Sequence, residues 1–124
     1  MKTIAKLDLK TYNEEKKQFE MCVDARTLMT FERIYRLETK NGKATFINSL
    51  PLLQEGDMQF LICLMASALR FPNEKRPVGL EYVFDELPVL ENIQTVMEGV
   101  AKCLEDLKIE PDGNDKGKSK KMTK

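Results

Sequence analysis

DMQFLICLMASALRF, residues 57–71, is apolar at eleven of the fourteen positions after its leading aspartate. A helix of that composition is greasy on nearly every side, so it must be covered on most faces, in the middle of a domain or against a partner. Asp57 fits its N-cap, because a short carboxylate can accept a hydrogen bond from the free amides of the first turn. Phe71-Pro72-Asn73 stops the helix, and the polar run at 73–76 reads as a surface loop.

Downstream, Leu80, Val83, Phe84 and Leu87 fall at i, i+3, i+4 and i+7, the pattern of a two-turn helix with one buried stripe. Pro88 breaks it and can serve as the first residue of the next helix, where a missing amide costs little. That next helix places Leu90, Ile93, Met97, Val100, Leu104 and Leu107 on one face, with Glu91, Gln94, Glu98, Lys102 and Glu105 elsewhere. Beyond Ile109 the composition turns to Pro, Asp, Gly, Asn, Lys and Ser, too polar to offset its own ordering entropy.

Upstream, Asp24 is a candidate cap for a helix carrying Leu28, Phe31, Ile34 and Tyr35 at spacings of three and four, ended by Asn41-Gly42. Residues 43–56 are less legible: Phe46, Ile47 and Leu50 before Pro51 fit either a short helix or an irregular packed loop. At the start, Ile4, Leu7 and Leu9 stand among Lys6, Asp8 and Lys10, and after a polar turn Phe19, Met21 and Val23 recur at period two, which predicts a β-hairpin. The expected fold is α+β and mostly α: a short N-terminal hairpin followed by four to five helices in a small bundle. Residues 1–109 form the globular part, and 110–124 a disordered, Lys-rich tail.

The chain has 124 residues, 42% of them hydrophobic and 32% charged, the profile of an ordinary soluble globular domain. Twenty basic side chains balance twenty acidic ones, so no global field draws it to nucleic acid or an anionic membrane. The tail holds five lysines (Lys116, Lys118, Lys120, Lys121, Lys124) against Asp112 and Asp115, a local +3. The body is correspondingly acidic, and such a tail most often only solubilises. The longest unbroken apolar run, Phe60 to Ala66, is far short of the roughly 20 residues a bilayer needs, and the N-terminus has no secretory h-region. Cys22, Cys63 and Cys103 form no CxxC pair and read as buried thiols in a reducing compartment.

No catalytic grouping emerges. Without histidine there is no Ser-His or Cys-His pair and a zinc site is not expected; no G-x-S-x-G, S-x-x-K or phosphate-binding glycine loop occurs. Asp85-Glu86 flanks a buried stripe and reads as solvated. A helix-turn-helix from 58–71 and 79–87 fails on chemistry, since its second helix would present Glu81, Asp85 and Glu86 to phosphate. The tail alone could supply only weak, salt-sensitive and sequence-blind binding. No cofactor, metal or catalytic residue is expected.

FEMCVDARTLMTFE at 19–32, the apolar helix, PVGLEYVFDEL at 77–87 and PVLENIQTVMEGVAKCLEDL at 88–107, preceded by a hairpin, resemble the tail assembly chaperones of long-tailed bacteriophages and prophages of Gram-positive hosts. The similarity covers about residues 1 to 108 and rests on hydrophobic pattern and segment order. It implies a non-enzymatic protein that escorts the tape measure protein, recruits tail tube subunits, works in the host cytoplasm and is absent from the mature virion. Self-association is left open, and nucleic acid is not an expected partner. The competing reading is a small regulatory or nucleic-acid-associated protein acting through its basic tail.

A chaperone for a long apolar-faced helical client needs an exposed hydrophobic groove on a near-neutral body. Met58 and Met65 beside Leu61 are more often core filler than adaptable surface. Yet a helix this apolar in so small a domain points to an interface on one side. Met58, Leu61, Met65, Leu80 and Phe84 are the expected protein-binding residues.

Overall fold

The computed structural model describes residues 3–13 and 15–107. The tail expected at 110–124 lies outside them. Within them, three antiparallel strands and six helical segments make an α+β, mostly α fold.

Strand β1 (Ile4–Lys10) turns Ala5, Leu7 and Leu9 inward and Lys6, Asp8 and Lys10 outward; Ile4, one position out of phase, is 50% exposed. Strand β2 (Lys16–Cys22) returns antiparallel, setting Leu7 opposite Phe19 and Ala5 opposite Met21. The hairpin end is closed by Thr11, whose amide and hydroxyl both donate to the Glu15 carbonyl at 3.0 and 2.8 Å.

Asp24 caps helix α1 (Ala25–Thr39), accepting from the Thr27 amide at 2.9 Å. The helix ends on Lys40, which takes the left-handed conformation at φ 56° and donates to the Arg36 and Leu37 carbonyls. This corrects the expectation that Asn41-Gly42 would supply the cap. Asn41 instead folds its side chain onto the Lys43 amide at 3.1 Å, a local turn that begins just after the helix. The stretch left open in the sequence forms two short helices, α2 (Phe46–Ser49), capped by Thr45, and α3 (Pro51–Glu55), closed by Gly56 at φ 70°.

Helix α4 (Met58–Ala68) is the centre of the fold, with eight of its eleven residues buried and Asp57 accepting from the Phe60 amide at 3.0 Å. It stops three residues short of the expected end at Phe71. Leu69 and Arg70 form strand β3 (Leu69–Arg70), pairing with Met21 and Glu20 on the free edge of β2, so the sheet order is β1-β2-β3. Pro72 favours an extended Phe71 in any case, and the edge of β2 offers two more residues the backbone partners a helix would have given them.

Helices α1 and α2 pack on α4 through Phe31, Tyr35, Phe46 and Phe60, ring centroids 5.0 to 6.1 Å apart. A second cluster, Phe19, Phe71 and Tyr82, joins the sheet to helix α5 (Leu80–Glu86). Helix α6 (Val89–Leu107) begins one residue after Pro88 and lies on the hairpin. Gly99 makes that approach possible: a β-carbon there would stand 3.0 Å from a methyl of Leu7 and 3.3 Å from the Met21 sulfur.

The buried face of α6 is rotated from the expected one. Asn92, Val96, Val100, Cys103 and Leu104 are buried, Ile93 and Met97 half-buried, and Leu90 is 72% exposed. The side chain of Leu107 lies outside the described ones. Asn92 is the reason for the rotation: its amide accepts from Lys10 N at 2.8 Å and donates to Lys10 O at 3.0 Å, as a neighbouring strand would. A buried amide satisfied this way holds the helix with Asn92 facing the strand edge. Leu90, two residues earlier, is thereby turned to solvent.

Candidate functional site: an apolar groove

The N-terminal turn of α4, the end of α5 and the start of α6 converge on the tip of the hairpin, and a groove of about 450 Å³ lies between them. Each element contributes for a local reason. Asp57 starts α4 so that Met58 and Ile62, one turn apart, share a side. Pro88 separates α5 from α6 and leaves Phe84 and Leu90 on either side of the break. Tyr12 is fixed by its backbone amide, which donates to the Glu86 carbonyl at 3.0 Å.

The result is a cluster of large side chains in solvent: Leu90 72%, Tyr12 60%, Phe84 52% and Met58 38% exposed. Val83 and Leu87, both fully buried, form the floor. Scattered exposed apolar residues need no explanation, but a contiguous set around a concavity is the form that binding surfaces take.

Of the five residues expected at a binding surface, Met58 and Phe84 line the groove. Leu61 and Met65 do not: both are 0% exposed, because they point from α4 into the core. Leu80 is half-buried against the core and outside the groove. Phe84 also departs from the buried stripe assigned to α5, of which Val83 and Leu87 are the true members. Three groove residues escaped the sequence reading. Ile62 carried a signal, four positions after Met58. Leu90 was assigned to the wrong face of its helix, and Tyr12 sits in a turn where periodicity says nothing.

The surroundings are acidic. Residues 80–107 hold seven acidic side chains (Glu81, Asp85, Glu86, Glu91, Glu98, Glu105, Asp106) and one basic one, Lys102, a net of −6. Asp85, Glu86 and Glu91 are exposed; of the three Glu91 lines the groove, and it pairs with Lys10 of the hairpin at 3.6 Å. Tyr82, behind the groove, has its phenol pushed above the ordinary value, first by burial and then by the nearby Glu86 carboxylate.

A second depression, about 440 Å³, lies near the other end of α4, lined by Asp24, Ala25, Arg26, Arg70 and Lys75. Arg70 crosses it to Asp24 at 3.4 Å and to the Thr27 hydroxyl at 3.1 Å. This is a brace between β3 and the start of α1, with the cation neutralised by the capping carboxylate.

All three cysteines are buried. Cys63 is pushed up to about 11, first by burial and then by the Glu38 and Asp57 carboxylates, so at neutral pH it is a protonated core residue. Among the described residues no group of three His, Cys, Asp or Glu is placed to hold a metal ion, and no helix is long and apolar enough to cross a membrane. The fold and the groove together give a small, mostly helical α+β structure with large apolar side chains exposed around a concavity. No family model, characterised protein or solved structure matches the chain.

Proposed function

We propose that the protein is a non-enzymatic chaperone of phage or prophage tail assembly, which binds the tape measure protein and recruits tail tube subunits. The observation that carries the reading is the groove: four large apolar side chains exposed around one concavity, on a fold whose other large apolar residues mostly fill a core. A long helical client shielded during assembly presents an apolar stripe, and a groove lined by Met58, Ile62, Phe84 and Leu90 is suited to an i, i+3, i+7 ridge of that kind. The segment order described above supports the same reading, on which the work is done in the host cytoplasm and the chaperone is absent from the finished virion.

The test is a calorimetric titration of the full chain with helical segments of the tape measure protein, the long helical product expected to be encoded immediately downstream. Replacing Phe84 with Glu puts a charge in the groove at a half-exposed site. Binding is expected to fall by two orders of magnitude or more, corresponding to a loss of roughly 3 kcal/mol, while the helical circular dichroism signal and urea midpoint stay unchanged. Equal binding by wild type and variant refutes the groove as the client site.

A further inference from the structure

The depression at the start of α1 is basic, and the fold uses only part of its positive charge. Its lining comes from three places: Asp24, Ala25 and Arg26 at the start of α1, Arg70 on β3, and Lys75 in the loop that follows. Three cations and one carboxylate meet there, a local charge of +2. The carboxylate is already engaged. Asp24 Oδ1 accepts from the Thr27 amide, the Thr27 hydroxyl and Arg70 Nη2, and Oδ2 accepts from the Cys22 thiol at 3.7 Å. Asp24 therefore offsets Arg70 and leaves Arg26 and Lys75, both exposed and neither in an ion pair among the described residues. Glu74 and Arg76, on either side of Lys75, offset each other, and Glu20 accepts from the Asn73 amide at 3.5 Å.

Two sets of donors are idle as well. Arg70 is 9% exposed and bonds Asp24 and Thr27 through Nη2; its Nε has no partner among the described residues. A guanidinium is a rigid fork of five N–H donors that matches oxyanions, so most of this one is unspent. At the helix end, the Thr27 amide goes to the Asp24 side chain and the Leu28 amide to the Asp24 carbonyl. The amides of Ala25 and Arg26 precede them in the first turn, where no carbonyl of the helix can reach. The positive end of the α1 dipole thus lies at the same depression.

We propose that this depression binds a phosphate group, either the free ion or the end of a small phosphate monoester. Charge favours a dianion: a monoester carries about −1.5 to −2 near neutrality and matches the local +2, which a carboxylate meets only in part. The donors converge from a helix start, a strand and a loop, and a tetrahedral oxyanion can accept from all three directions at once. At about 440 Å³ the depression also has room for the body of an ester beyond its phosphate. The site lies near the opposite end of α4 from the apolar groove and does not depend on the chaperone reading.

The experiment is calorimetric titration of the full chain with inorganic phosphate, phenyl phosphate and acetate at constant ionic strength, with amide NMR shifts to locate binding. Both phosphates are expected to bind once per chain with a Kd of about 1 mM or tighter, and acetate about tenfold or more weakly. Shifts centre on Ala25, Arg26, Arg70 and Lys75. Replacing Arg26 and Lys75 together by Gln weakens phosphate about tenfold or more, whereas the same change at Lys6 and Lys43 alters it by less than about twofold. All four positions are exposed, and the urea midpoint checks the fold. Tighter binding of the ester names a small phosphorylated molecule as the occupant, and tighter binding of the free ion names phosphate itself; either order upholds the site. No saturable binding up to about 10 mM, acetate equal to phosphate, or equal losses in the two double variants overturns the proposal.

Discussion

Asp24 does more than begin a helix. Its carboxylate accepts from the Thr27 amide at 2.9 Å and hydroxyl at 3.0 Å, and faces Arg70 at 3.4 Å, a residue 9% exposed whose Nε has no partner among the described residues. Losing an N-cap alone costs about 1 kcal/mol, but leaving a buried cation unneutralised costs about 3–5 kcal/mol. Asp24→Ala is therefore expected to destabilise the protein by about 3 kcal/mol or more in urea unfolding, and Asp24→Asn, which keeps the cap acceptor, by less. A loss of under about 1 kcal/mol for the alanine variant would mean that Arg70 finds water instead. Cys63 makes a second prediction at this scale. Its thiol titrates at about 11 folded against an ordinary 9.0, so the folded state favours the protonated form. The stability this contributes is complete below pH 9 and is lost as pH rises toward 11. Urea midpoints should be flat from neutrality to about pH 8.5 and fall above it, with a shallower fall in Cys63→Ala; identical slopes in the two proteins would remove Cys63 as the cause.

At the scale of elements, α6 shows where a sequence pattern runs out. Its apolar positions are spaced for a helix and the helix is there, but which of two overlapping faces is buried depends on Asn92 reaching the backbone of Lys10 and on Gly99 meeting Leu7. Both are contacts with a strand more than eighty residues earlier in the chain, and no local pattern encodes them. The same holds for β3: Leu69 and Arg70 continue an apolar helical run in the sequence and become strand only because β2 offers an edge. The caps at Asp24 and Asp57 and the alternation of the hairpin were legible, because each depends on neighbours a few residues away. The groove was half legible for the same reason. Met58 and Phe84 lie on helices whose apolar excess is visible, whereas Tyr12 is brought there by a turn and a single backbone bond to Glu86. Gly99 allows a direct check of the α6 packing. Gly99→Ala gains up to about 1 kcal/mol of helix propensity against a shift of a few tenths of an ångström by the flexible ends of Leu7 and Met21, so it is expected to be near neutral. Gly99→Leu overpacks the helix–sheet contact and should cost about 1–3 kcal/mol. Chemical denaturation of the pair decides it; a neutral leucine variant would show that α6 does not need this close approach.

For the molecule as a whole, the distribution of charge and apolar surface matters more than any one residue. The chain is neutral overall, yet residues 80–107 carry a net of −6 and supply much of a groove where several large apolar side chains meet solvent. The central claim is that the groove is the working surface of the protein. Hydrogen exchange on the full chain, with and without the tape measure segment, tests it most directly. The account predicts new protection at Met58–Ile62 and from Val83 to Glu91, with the amides of β1 and the C-terminal half of α6 unchanged. Protection confined to α1 or the sheet, or none at a saturating concentration of segment, would contradict it.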